Sequence, residues 1–385
     1  MATRFWRNER FLQVLGQAAF LLLVLYLVYA LYNNMVRALQ LQGLVTGFSF
    51  LQQTAGFDIG ERLISYSRSS SYLRAFQVGL LNTILVSALG ILFATALGMV
   101  VGAARLSTNY LVKSLAKVYI EIVRNIPLLV LLVFWYTDFF LKLPTIKEAW
   151  IFPGPIYFTN RGIAIPWGIA TASFRTYLWI LMLGLLITLG MTWLLILKGR
   201  RTGRPPLVTL WSLVTFLGVA VLGWILFPQP PLTVDIPYID GLNIAAGLTL
   251  SPEFMALVSG LVIYTAAFIG EIVRAGVQSV SKGQLEAARS LGLNAFQSLR
   301  LVVFPQALRV IVPPLTSQYL NLTKNSSLAI AVGYPELFSV SGTIFNQTGR
   351  AVEVITLIMA TYLSISLVTS LFMNWYNYKV RLAEG

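Results

Sequence analysis

The sequence predicts an all-α polytopic membrane protein with about eight transmembrane helices, and three observations carry that expectation. Apolar runs recur along the chain at or above the ~20 residues a helix needs to cross the hydrocarbon core. Of 385 residues, 57% are hydrophobic and only 11% charged, far from the balance of a water-soluble domain. Basic residues gather at alternate connections between the apolar runs, as the positive-inside bias requires.

Each span is read from its boundaries. A basic start, MATRFWRNER, leads into an apolar run from Phe11 to Tyr32. That run is too long for a signal-peptide core and lacks an A-x-A-like site, so it is expected to stay as a first span with the N-terminus in the cytosol. Residues 33–75, polar and carrying SYSRSSSYLR, are expected outside as a loop. The second span covers about Phe76 to Ala104. Thr83, Ser87, Gly90, Ala94, Gly98 and Gly102 recur on it at three- and four-residue spacing, a face of small side chains suited to close helix packing rather than to lining a path. Residues 105–118 read as a basic cytosolic connection, and the third span runs from about Tyr119 to Leu141 through Pro127. Pro144, Pro153, Pro155 and Pro166 exclude a continuous helix in the external stretch that follows. The fourth span (about Tyr177 to Leu197) ends at KGRRTGRPP, and the fifth (about Leu207 to Phe227) returns to an external PQPPLTVDIP loop. The sixth, seventh and eighth cover about Glu253 to Val273, Leu301 to Thr323 and Ala351 to Trp375.

Charge tests this topology. The cytosolic side holds 18 of the 28 Lys/Arg and 5 of the 14 Asp/Glu, while the external side holds 10 and 9. The asymmetry supports both termini in the cytosol. It also accounts for the net charge of +14 without nucleic acid as a partner. The chain has neither Cys nor His, which removes thiol nucleophiles, disulfides, thiolate or imidazole metal sites and any Ser-His triad. No G-x-x-x-x-G-K-[ST] run occurs, so the chain has no P-loop for ATP, and its energy source is expected in another subunit. A membrane-embedded enzyme finds no paired carboxylates and no G-x-S-x-G elbow here.

The stretch Ser281–Pro314 departs in character from its apolar flanks, with Lys282, Arg289, Arg300 and Arg309 against Glu286 alone. Ser281 with Gln284 fits a capping box, Gly292 supplies a left-handed stop, and Asn294 with Gln297 opens a second helix that Pro305 kinks or breaks. A short Ala-rich helix between two spans lets another backbone approach closely. Two Glu-Ile-Val-Arg runs, Glu121–Arg124 and Glu271–Arg274, each sit near the cytosolic end of a span. Glu and Arg three apart share a helix face, so structural ion pairs are expected, with a part in gating as the further reading.

Glu286-Ala287-Ala288, three residues, Gly292, nine residues and Val302-Val303-Phe304-Pro305 resemble the EAA loop of bacterial ABC-importer permeases. Val302 and Phe304 depart from the usual Ile-x-Leu-Pro ending. VGLLNTILVSALG (78–90), YIEIVRNIPLLVLLVFWY (119–136), AAFIGEIVRAGVQSVSKGQLEAARSLGL (266–293), LTKNSSLAIAVGYPELFSV (322–340) and residues 346–377 are similar to the polar and general amino acid branch of that family, in its long form. The resemblance implies a five-helix type I importer core from spans two, three, six, seven and eight. It divides the chain into an N-terminal helix and loop (1–77), a first core part (78–141), an insertion carrying a helix pair (142–250), a second core part (251–377) with the coupling helix at 281–293, and a cytosolic tail (378–385). It further implies residence in the bacterial inner membrane. The implied partners are a cytosolic ATPase dimer holding ATP and Mg, a second permease subunit (a relative or another copy), a periplasmic binding protein and an amino acid. No cofactor is implied on this chain. Gly283, Glu286, Ala287, Ala288, Arg289, Leu291, Gly292 and Pro305 are then the expected ATPase-coupling residues.

An amino acid needs hydrogen-bonding groups along its route through an apolar bundle. Gln318, Asn321, Lys324 and Asn325 recur every three or four residues on span seven, followed by Ser326 and Ser327. Such a stripe is costly facing lipid, so it faces either an aqueous path or neighbouring helices. Lys324 and Arg350 are candidates for a carboxylate and Glu353 for an ammonium group, although Glu353 also suits a helix N-terminus without any ligand. The competing function is a secondary transporter driven by an ion gradient. It would use carboxylates near mid-bilayer, whereas the acids here gather at span ends.

Overall fold

The computed structural model describes residues 9–41, 47–202 and 207–382. In chain order, α1 (Glu9–Leu41), α2 (Tyr72–Arg105), α3 (Tyr110–Asn125) and α4 (Leu128–Phe134) precede four short strands, β1 (Trp150–Phe152), β2 (Ile156–Thr159), β3 (Gly162–Ile165) and β4 (Trp167–Ala170). The helix pair α5 (Phe174–Thr202) and α6 (Val208–Ile225) follows, then β5 (Leu232–Asp235), β6 (Tyr238–Asp240), β7 (Asn243–Ala245) and β8 (Leu248–Leu250). The remaining helices are α7 (Pro252–Gln278), α8 (Lys282–Ser290), α9 (Ala295–Ser298), α10 (Phe304–Asn325), α11 (Leu337–Thr348) and α12 (Ala351–Leu382). Among the described residues, seven helices are long and apolar enough to cross a membrane, or eight if α3 and α4 form one broken span. The contacts separate into two compact units, one formed by the chain up to Leu128 and from Leu261 onwards, the other by Leu129–Gly260.

The first unit is arranged around α2. Thr83, Ser87, Gly90, Ala94, Gly98 and Gly102 are all buried, and neighbouring helices fill the room that their small side chains leave. A Cβ on Gly90 would come 3.0 Å from Leu322 of α10, one on Gly98 2.5 Å from Ile269 of α7, and one on Gly102 2.7 Å from Val273. The small face is therefore a packing face, as its spacing predicts. Gly98→Ala is expected to lower the thermal midpoint of the purified protein, by about 1–3 kcal/mol of overpacking, and Ile269→Ala in the same chain should recover most of it. An unchanged midpoint for the single variant would refute this contact.

Three connections differ from expectation. The stretch 33–75, expected as an external loop, begins inside α1, which runs to Leu41, and ends packed on the bundle: Phe50, Ala55, Ile59 and Tyr66 are buried with Phe76 of α2, Leu337 and Val340 of α11 and Val354 of α12. The basic connection at 105–118 is largely helical, because Asn109 caps α3 by accepting from Leu111 N (2.9 Å) and Val112 N (3.2 Å). The third span breaks where Pro127 lacks an N–H and pushes Ile126 to an extended conformation (ψ 130°).

The second unit contains what the sequence reading left irregular. The prolines do exclude a helix, and short strands form between them. β1, β2, β3 and β8 make an antiparallel sheet in that order, with β4–β5 and β6–β7 as separate two-stranded ribbons. Ile163 of β3 is buried with Phe140, Leu143 and Ala256. In the helix pair, Gly184 receives Val219 and Gly223 receives Ile180, and Tyr177 Oη donates to Ala220 O (3.1 Å).

Candidate functional site

The loop after α7 is built from two interlocked stops. Gly292 at φ +76° ends α8, with Leu293 N donating to Ala288 O (3.1 Å) and Gly292 N to Arg289 O (2.9 Å). That is the double closure of a Schellman motif. Asn294 and Gln297 form the expected reciprocal box, Gln297 N donating to Asn294 Oδ1 (2.8 Å) and Asn294 N to Gln297 Oε1 (2.9 Å). Ser281 does not complete the other box. It stands at the N-cap with extended backbone, but its side chain makes no cap hydrogen bond, while Gln284 Oε1 accepts from Gln306 Nε2 (3.2 Å). Pro305 does not end the helical run but marks an irregularity in it: it occupies the first turn of α10, directly after a π-turn over Leu299–Val303.

Of the expected coupling residues, Gly283, Glu286, Ala287, Arg289, Leu291, Gly292 and Pro305 are exposed. Ala288 is the exception, 2% exposed and turned inward, so it seats the helix rather than presenting a surface. Leu291 is 80% exposed and Phe296 68%. Phe296 was not singled out by sequence, although a large aromatic in a polar connection is itself a signal.

The polar stripe of α10 divides in three dimensions. Gln318, Asn321 and Asn325 line a cavity of about 250 Å³, closed on the α7 side by Tyr264, Thr265 and Phe268. Among the described residues, no charged side chain contributes to its wall. Ser326 Oγ and Ser327 Oγ instead donate to Thr323 O (2.7 Å) and Lys324 O (2.8 Å) of their own helix, and Lys324 is exposed. Arg350 and Glu353 belong to a different cluster. They pair at 3.7 Å, Glu353 Oε1 accepts from Gly47 N (2.9 Å), and the Arg350 guanidinium lies 5.5 Å from the Phe50 ring centre. The helix-terminus reading of Glu353 fits this placement.

The two Glu-Ile-Val-Arg runs behave differently. Glu271 accepts from Arg274 Nε (3.0 Å) and Nη2, the expected pair. Glu121 is not paired with Arg124: Lys117 lies 3.6 Å from its carboxylate, and Arg124 stacks 5.1 Å over the ring of Phe268. The competing partners lie one turn back and on a facing helix, so the shared spacing alone did not decide the pairing. Arg124 thereby backs a ring that forms part of the cavity wall.

Glu336 was missed altogether. It is fully buried, yet its carboxylate has only neutral partners. Its Oε1 accepts from Ser339 N (2.8 Å), and its Oε2 from Phe338 N (2.9 Å), Tyr362 Oη (2.9 Å) and Thr83 Oγ1 (3.4 Å). Thr83 Oγ1 in turn accepts from Leu337 N (3.0 Å). One side chain thus caps α11 and ties it to α2 and α12.

These spans, and the Ala-rich loop between two of them, fit a membrane component of a transport system. Residues 203–382 match the family of binding-protein-dependent transport system inner membrane components. The chain is 43% identical over 98% of its length to the general L-amino acid transport system permease protein AapQ of Rhizobium johnstonii, covering 94% of that protein. It is 44% identical over 92% of its length to the putative amino-acid ABC transporter permease protein YhdX of Escherichia coli, covering 90% of it. It is also 40% identical over 98% of its length to the glutamate/glutamine/aspartate/asparagine transport system permease protein BztB of Rhodobacter capsulatus, covering 95%. The chain belongs to the amino acid ABC transporter permeases, the membrane components of binding-protein-dependent transport systems.

Proposed function

We propose that this chain forms the pore of an ATP-driven amino acid importer in the bacterial inner membrane and is worked from below through α8. Both termini lie in the cytosol. A cytosolic ATPase dimer holds ATP and Mg, a periplasmic binding protein delivers the amino acid, and a second permease subunit, related or identical, completes the pore. The observation that carries this reading is the apolar ledge of Leu291 and Phe296, held out rigidly by the Gly292 and Asn294 closures. A loop without a partner gains nothing from two large apolar side chains in water. A groove on another protein desolvates both. Because α8 follows α7 by a short turn and leads through α9 and the π-turn into α10, a push on it moves the two helices that wall the cavity, a rigid-body switch.

The cavity suits a passing amino acid. Its volume lies just below the usual range of ligand pockets, which suits a ligand as small as an amino acid, and the amides of Gln318, Asn321 and Asn325 offer both donors and acceptors to an ammonium and a carboxylate group. Without a fixed charge, the wall holds a zwitterion weakly enough to release it.

Gentle purification of the tagged chain, with mass spectrometry of what accompanies it, tests the assembly. An ATPase polypeptide and a cross-link from Ala287→Cys to it are expected. A chain that purifies alone and drives uptake in proteoliposomes on an ion gradient alone would overturn the proposal. Asn321→Leu is expected to slow uptake roughly tenfold, the cost of one unmatched polar group, while ATP hydrolysis still responds to the loaded binding protein. Uptake at the unsubstituted rate would remove Asn321 from the route.

A further inference from the structure

The helix pair α5–α6 takes no part in the cavity or the coupling loop, and its end beyond Phe174 and Ile225 carries a feature those roles leave unexplained. We propose that the β4–β5 ribbon is a membrane-surface anchor that lies in the headgroup layer of the outer leaflet, with phospholipid as its partner. The basic run Lys198–Arg204 that links α5 to α6 in sequence reads as cytosolic, which puts the ribbon on the outer side.

The ribbon continues the helix pair directly. β4 ends at Ala170, four residues before α5, and β5 begins at Leu232, seven after the end of α6. The junction is fastened by Thr171 N to Pro231 O (3.1 Å), Thr171 Oγ1 to Pro230 O (2.9 Å) and Ser173 Oγ to Gln229 O (3.0 Å). The two helices are apolar, and only 11% and 6% of their most apolar stretches are buried within this chain, which leaves a broad apolar surface available to lipid. Exposed tryptophans mark both ends of the pair, Trp179 and Trp224 towards the ribbon and Trp193 and Trp211 towards the basic cluster. At 1.5 Å per residue the two bands stand about 20 Å apart along each helix, as rings do when they sit just inside the boundaries of a hydrocarbon core of ~30 Å. The outer boundary then falls within about a turn of Trp179 and Trp224, and the ribbon begins where headgroups begin.

The composition of the ribbon suits that layer and not water. A lone two-stranded ribbon is marginal in water, and this one exposes apolar side chains on both faces. Facing pairs are Trp167↔Asp235, Gly168↔Val234, Ile169↔Thr233 and Ala170↔Leu232, so Trp167 and Ile169 share one face while Val234 and Leu232 share the other. Trp167 is 51% exposed, Ile169 48% and Val234 68%. A docked protein covers one face of such a ribbon, whereas a headgroup layer surrounds both. Ala170 and Leu232 pair nearest to the helices, and the farthest pair sets Trp167 opposite Asp235, which accepts from Gly247 N (2.8 Å), a mixed apolar and polar end of the kind interfacial tryptophans favour.

The absence of cysteine from the sequence makes single-site labelling clean. Val234→Cys and Ile169→Cys, one on each face, would be nitroxide-labelled in the assembled transporter in phosphatidylcholine nanodiscs, with Leu217→Cys, midway between the two tryptophan bands and 50% exposed, and Asp240→Cys as lipid and water references. Both ribbon sites are expected to show oxygen-to-nickel-chelate accessibility between the two references, shifted towards lipid. Nickel access equal to that at position 240 would place the ribbon in water, and protection from both reagents on either face would place a protein against it; either result overturns the proposal. If the labelled variants fail to assemble, quenching by brominated lipid decides instead. The quenched emission of the unsubstituted chain should fall in Trp167→Phe, and identical quenching would overturn the anchor.

Discussion

Leu291→Asp is expected to uncouple the transporter, with uptake reduced at least thirtyfold and ATP hydrolysis no longer responsive to the loaded binding protein. The size follows from exposure. Leu291 is 80% exposed, and the space around Gly283 and Gly292 is open, so a charge there costs this chain little of its own stability. Once the ledge is seated in a groove, the same charge is buried unpaired at the centre of the contact. Losing such an anchor costs about 2 kcal/mol or more, a factor of roughly 30 in affinity. Glu286→Arg, on the same exposed helix, should act in the same direction through charge mismatch. Gly292→Pro should be worse for a different reason. Proline holds φ near −65°, whereas this position stands at +76°, and proline also removes the N–H that Arg289 O accepts. Leu291→Asp should therefore melt like the unsubstituted chain, while Gly292→Pro should not. Transport by Leu291→Asp at the ordinary rate would show that α8 is not the lever.

The contrast between those variants mirrors what was legible in the sequence. Apolar runs announced the long helices other than α3, whose first half is basic, and the spacing of Gly90, Ala94, Gly98 and Gly102 announced the packing face of α2. Backbone demands were readable too: Gly292 had to be left-handed for α8 to stop. Features that depend on partners distant in sequence were not readable. The α10 wall of the cavity showed as a polar stripe, but Tyr264, Thr265 and Phe268 look like ordinary core inside an apolar span. The stretch before α2 reads as a soluble loop because Ser and Arg crowd it, while Phe50, Ala55, Ile59 and Tyr66 follow no helical or strand period. The strands of the second unit have three or four residues each, too few for alternation to register. Glu121 and Arg124 share a helix face, yet Lys117 and the ring of Phe268 offered each a better neighbour. Glu336 gave no sign of burial, because an acid after Tyr334-Pro335 reads as a plain N-cap in a loop.

That N-cap is expected to be the costliest single position in the first unit. Glu336→Leu removes the cap of α11, worth about 1 kcal/mol, and leaves the N–H groups of Phe338 and Ser339 and the Tyr362 hydroxyl buried without an acceptor. Each orphan costs about 1–3 kcal/mol in a dry interior, and relief from burying a carboxylate offsets part of that. Interhelical hydrogen bonds in membrane proteins average only about 0.6 kcal/mol, so most of the effect should come from the cap and the orphaned amides. A net loss of about 3 kcal/mol is expected in thermal unfolding of the purified protein. Glu336→Gln keeps one acceptor oxygen and turns an amide donor towards the N–H of either Phe338 or Ser339, so about half that loss is expected. Tyr362→Phe alone should cost about 1 kcal/mol. Combined with Glu336→Leu it should add no further loss and recover the hydroxyl's share, because the double variant no longer carries a buried hydroxyl lacking a carboxylate, while the cap and the two amides stay lost. Additive losses in that pair would mean that Glu336 and Tyr362 act independently, and a Glu336→Leu chain melting with the unsubstituted one would mean that the buried carboxylate holds nothing together.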